Sequence, residues 1–158
     1  MFREWPVMML NDSATGYTGL DSDTIKVSLY DNDITPDKDA AVGSTGWNTG
    51  AWAISGNEVT DSDGSSDWGS GSSAPSLSGK SITTPSTGVV MFDATDTTHS
   101  NTVTLTNAFG CLVWDDSISA GTVADQGISF HYFGGAQSVT TGTFTIVWHA
   151  NGLFRITV

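Results

Sequence analysis

The stretch Gly127–Val158, GISFHYFGGAQSVTTGTFTIVWHANGLFRITV, alternates apolar and polar side chains in three successive runs. Ile128, Phe130 and Tyr132 make the first, Phe144, Ile146 and Trp148 the second, and Phe154, Ile156 and Val158 the third. A period of two belongs to a strand with one buried face. Glycine or asparagine separates the runs, and both residues favour turns. The stretch predicts a compact all-β domain built from hairpins, and it carries no sequence-local catalytic motif.

Upstream, Ile25, Val27 and Leu29 alternate with Lys26, Ser28 and Tyr30, which predicts a half-buried strand. Asp31–Asp39 reads as a loop. Ala40–Ala74 is rich in Gly, Ser, Asp and Thr, with short strands expected at Ala51–Ser55 and Asn57–Thr60 and a long loop over Asp61–Pro75. Lys80–Thr84 and Gly88–Ala94 read as a strand pair around Pro85-Ser86-Thr87. Asn101–Thr106 follows, then Phe109–Trp114, which is apolar on both faces and so predicts a central strand. About eight strands at this spacing predict an antiparallel β-sandwich or a jelly-roll-like barrel. Residues 1–19 read as an N-terminal arm or short helix, and residues 20–158 as a single domain.

Composition narrows the function. The 158 residues include 17 acidic and 5 basic side chains, a net charge of −12. Only Glu4 and Glu58 are glutamates, so the acids are mostly loop-forming aspartates. A negative surface without a basic patch argues against direct nucleic acid binding. No apolar run reaches the length of a membrane span, and Phe2–Leu10 lacks the pattern of a secretory signal, so synthesis and folding in a cytoplasm are expected. Cys111 is the only cysteine and sits in an apolar run, which predicts a small buried hydrophobe.

No motif carries strong chemistry. Ser78-Gly79-Lys80-Ser81 resembles the end of a phosphate loop, but Ala74 stands where the first glycine belongs and no helix pattern follows. His131 and His149 alternate with apolar residues on two strands and could share a face, but no third metal ligand stands at useful spacing. Asp61, Asp63 and Asp67 invite a calcium reading, yet Gly64 and Ser72 do not fit the helix-loop-helix pattern, and a solvated loop is expected. Without a nucleophile elbow or a distinguished carboxylate pair, the chain is read as non-enzymatic and free of cofactors and metal. Trp47, Trp52 and Trp68 admit two readings: a core or interface role, or a sugar-stacking platform.

Several segments together resemble small virion proteins from the head gene region of tailed bacteriophages. They are Leu20–Asn32 (LDSDTIKVSLYDN), Thr35–Asp39 (TPDKD), Gly56–Val59 (GNEV), Val89–Ala94 (VVMFDA), Tyr132–Thr140 (YFGGAQSVT) and, most specific, Gly142–Ile156 (GTFTIVWHANGLFRI). The chain departs from that pattern after Glu58, where the Asp/Ser/Gly loop replaces a glycine-rich turn. The resemblance is closest to a head decoration protein. It implies a homotrimer on the capsid exterior of a virion, made in the host bacterial cytoplasm, with the major capsid protein as partner. Phe2, Trp5, Met8, Met9 and Leu10 are then the expected docking residues. The alternative is a phage tail or host-surface adhesion module binding carbohydrate through Trp47, Trp52 or Trp68.

Overall fold

The computed structural model describes residues 18–63, 67–99, 101–120 and 123–157. The expected docking residues Phe2, Trp5, Met8, Met9 and Leu10 lie outside them, as does most of the 1–19 arm.

The architecture is all-β and antiparallel. One sheet has the order β2 (Glu58–Val59), β1 (Ile25–Tyr30), β6 (Val103–Asp115), β7 (Gln126–Gly142). A second has the order β3 (Ser81–Ser86), β4 (Val89–Asp93), β9 (Phe154–Thr157). β5 (Thr97–Thr98) and β8 (Thr145–Ile146) form a two-residue ladder. The Phe109–Trp114 run lies inside β6, between β1 and β7, as an apolar run on both faces requires.

Two cores flank the four-stranded sheet. On one face Ile25, Val27, Leu29, Cys111 and Val113 pack with Leu77, Phe92, Trp68 and Trp148. On the other, Tyr30, Leu112 and Trp114 pack with Ile34, Trp52 and Ala74. The second sheet covers the first face through Phe92. Loop segments cover the second face.

β1 is therefore buried along its whole length, not half-buried as its alternation suggested. Its polar face is satisfied within the fold. Lys26 Nζ donates to the carbonyls of Ser72 (2.9 Å) and Ala74 (3.1 Å). Trp114 Nε1 donates to Ser28 Oγ (3.1 Å), and Tyr30 Oη donates to the carbonyl of Trp52 (2.8 Å). Each polar group keeps a partner, so burial does not leave it orphaned.

The C-terminal stretch also differs from its hairpin reading. β7 runs unbroken through Gly134-Gly135 for 17 residues. Gly110 pairs with Tyr132 and Ala108 with Gln137, so Phe133–Ala136 form a wide bulge opposite Phe109 and the chain does not reverse. A second bulge, between the Val113–Ser129 and Trp114–Gly127 pairs, separates Ile128 from Phe130. Ile128 joins the first core, while Phe130 packs against the second. A bulge shifts the alternation by one residue and so moves side chains between faces. In β6 the expected strands Asn101–Thr106 and Phe109–Trp114 fuse, with Asn107 at φ +58° absorbing the irregularity between them.

The expected strand at Ala51–Ser55 is replaced by a 3-10 turn, Gly50–Trp52, and a helical turn, Ile54–Asn57. The hairpin of β3 and β4 is as expected, with Pro85 on the edge strand where a missing N–H is tolerated.

Candidate functional site

The three loop tryptophans are divided between the cores. Trp52 and Trp68 are buried, in the second and first core respectively. Trp52 meets Tyr30 edge-on and Phe130 at a tilt, each at 5.3 Å between ring centroids. Trp47 lies flat on Trp114, 5.0 Å away with 11° between planes, and its Nε1 donates to Glu58 Oε1 (3.0 Å). Trp68 meets Phe144 edge-on at 5.3 Å. These rings occupy both sides of the sheet, so they do not form one exposed platform. The loop that carries them has to supply apolar cover, and its tryptophans do that.

The histidines, the cysteine and the buried aspartate make local contacts within the fold. His131 Nε2 is 2.9 Å from Ser129 Oγ, and its ring meets Trp148 edge-on at 5.3 Å. Burial pushes its pKa down to about 4, so the ring is neutral near pH 7. His149 does not join it: its Nδ1 accepts from the Asn151 N–H (3.0 Å) inside a turn. His99 Nδ1 lies 3.1 Å from Asp67 Oδ1. Cys111 is fully buried, and burial raises its thiol pKa out of the reactive range. Asp115 is pushed up to about 7, first by burial and then by the neighbouring Asp23 carboxylate.

Asp61 and Asp67 act as anchors. Asp61 Oδ1 accepts from the Thr104 N–H (2.8 Å), and Asp67 Oδ2 accepts from the Asn101 N–H (3.2 Å). Among the described residues no three His, Cys, Asp or Glu side chains converge as metal ligands. Gly79, at φ +60°, makes the turn that leads into β3, and the Thr95 N–H donates to the Ser78 carbonyl across it (2.9 Å).

The surface offers a different feature. In the second sheet Val90 pairs with Ile156, and Phe92 pairs with both Ile82 and Phe154. Directly opposed residues share a face, and so do alternate residues along a strand. All five side chains therefore stand on one face. Phe92 is buried in the first core, and Phe154 packs against it with 5.5 Å between ring centroids. The rest of the row is only partly covered: Ile82 is 48% exposed, Val90 37% and Ile156 37%. An apolar sheet face thus continues outward from the core. The sequence alternation places Val90 beside Phe92, but it carries no signal for where the covering layer ends.

Comparison with known protein families, characterised proteins and solved structures finds no match to this chain.

Proposed function

We propose that this chain is a non-enzymatic virion structural protein, a decoration module that binds the outer surface of an assembled bacteriophage head as a homotrimer. The reading starts from the resemblance of residues 20–158 to small head-region proteins. The observation that carries it further is the partly exposed apolar row of Ile82, Val90 and Ile156 on β3, β4 and β9.

A head packed with DNA is under outward pressure, and a stiff module that bridges subunits raises the cost of separating them. Burying the exposed part of each of these side chains contributes about 1 kcal/mol. A trimer presents the row three times, so the contacts sum over each joint. Rigidity follows from the fold, because β1 and β6 are paired on both edges and packed on both faces. Phe2, Trp5, Met8, Met9 and Leu10 form a second proposed contact with the major capsid protein.

The test is co-sedimentation of the purified chain with purified capsid shells. Val90→Asp with Ile156→Asp is expected to abolish binding, because a buried unpaired carboxylate is costly. Deletion of residues 1–10 measures the share of the N-terminal contact. Undiminished binding by a chain carrying both changes contradicts the proposed contacts, and absence of wild-type binding contradicts the function.

A further inference from the structure

A second surface lies on the other side of the four-stranded sheet. Gly110 pairs with Tyr30 on one side and Tyr132 on the other, so it leaves a strip without a side chain of its own between them on the face of the second core. Phe130 leans over that strip: a Cβ on Gly110 would stand 2.4 Å from Phe130 Cζ. Beside it Tyr132 is 59% exposed and lies nearly parallel to Phe109, with 6.4 Å between centroids and 20° between planes. Together with Ile34 and Pro36 these rings line a cavity of about 280 Å³.

Asp31, Asn32 and Phe109 also line a second cavity of about 230 Å³, whose far wall includes Asp33, Thr106 and Asn107. The two cavities adjoin at these three shared residues. The pair, taken as one groove, is aromatic at the Phe109/Tyr132 end and sets amide, carboxylate and hydroxyl groups beside Val59 at the other. Asp31 is fixed in place, with its N–H donating to the Asn57 carbonyl (3.0 Å) and its Oδ1 accepting from the Asp33 N–H (2.9 Å).

We propose that this groove binds a neutral oligosaccharide, with one sugar ring stacked at the Phe109/Tyr132 end and the next hydrogen-bonded at the Asp31/Asn32/Asn107 end. A pyranose has a C–H face and a hydroxyl rim. The negative face of an aromatic ring attracts the first, and carboxylate and amide groups pair with the second. Asp31 and Asp33, on a chain of net charge −12, repel anionic ligands. Its aromatic end, with Phe130 and Tyr132, lies on the sheet face opposite to the one covered by β3, β4 and β9, while Val59 at the other end packs against the first core. A module docked through Val90 and Ile156 keeps the Phe130/Tyr132 end free, and the proposal concerns binding by the isolated chain, so it does not rest on docking.

The experiment is calorimetric titration of the full chain with neutral hexasaccharides of glucose, galactose and N-acetylglucosamine, with poly-L-proline and poly-L-lysine in parallel. At least one saccharide is expected to bind. Tyr132→Ala, at an exposed position, should weaken that binding about tenfold, while Tyr132→Phe keeps the stacking face and should stay close to wild type. Asn32→Ala should weaken it about threefold to tenfold. Retained circular dichroism of each variant separates lost binding from lost fold. The proposal is overturned if no saccharide binds at millimolar concentration, if Tyr132→Ala leaves affinity unchanged, or if only a polypeptide occupies the groove.

Discussion

Gly110 shows how one missing side chain sets both packing and surface. An added Cβ would meet Phe130 Cζ at 2.4 Å and the His131 carbonyl oxygen at 2.6 Å. The second contact is with backbone and cannot be relieved by a rotamer change. Gly110→Ala is expected to cost about 1–3 kcal/mol, read as a lower urea midpoint at an unchanged slope. Two titratable residues, the buried Asp115 and the half-buried His131, act in opposite directions on stability. Asp115 has its pKa raised to about 7, so between pH 4 and 7 the folded chain holds a proton that the unfolded chain has released. Its contribution to stability therefore falls as pH rises. His131 has its pKa lowered to about 4, so between pH 4 and 6.5 the unfolded chain holds the extra proton. Its contribution rises with pH. The two slopes offset each other in the wild type. Asp115→Asn should leave the His131 slope exposed, so that the melting temperature climbs from pH 4.5 to 6.5 more steeply than in the wild type. An unchanged profile would show that Asp115 is not the group responsible.

At the scale of elements, the row on β4 and β9 makes a paired prediction. Phe92→Ala empties a core position and should cost about 3–5 kcal/mol. Val90→Asp, one alternate position further out, should change stability by only about 0.5 kcal/mol in the free chain. Chemical denaturation of both variants checks whether the core ends between these residues. The class of fold was legible in the sequence because period-two alternation and turn residues are local signals. β6 was legible as central because Cys111-Leu112-Val113-Trp114 is apolar on both faces. Three features were not. The burial of Lys26 and Ser28 depends on carbonyls and a ring that are distant in sequence. The bulge at Ile128 depends on the register with β6. Gly134-Gly135 looks like a turn because glycine permits reversal, but here it permits a wide bulge within one strand. The candidate surfaces were less legible still. Of the three tryptophans for which a core or interface role and a sugar platform were both open, Trp52 and Trp68 are core and Trp47 packs against it, and among the described residues the exposed aromatic ring is Tyr132, which the alternation had grouped with buried residues.

At the scale of the molecule, the parts divide by side. One face of the four-stranded sheet is closed by a second sheet whose apolar row runs past the core. The other is closed by loops that leave an aromatic groove. A net charge of −12 makes copies of the chain repel one another, which favours solubility. In the proposed assembly the apolar row faces the shell and the groove stays open to solvent. The most direct test of shell docking is electron microscopy of intact particles carrying this chain with a C-terminal gold or affinity label. The account predicts label in clusters of three over the head exterior. Label confined to tails, or heads that bear none, would contradict it.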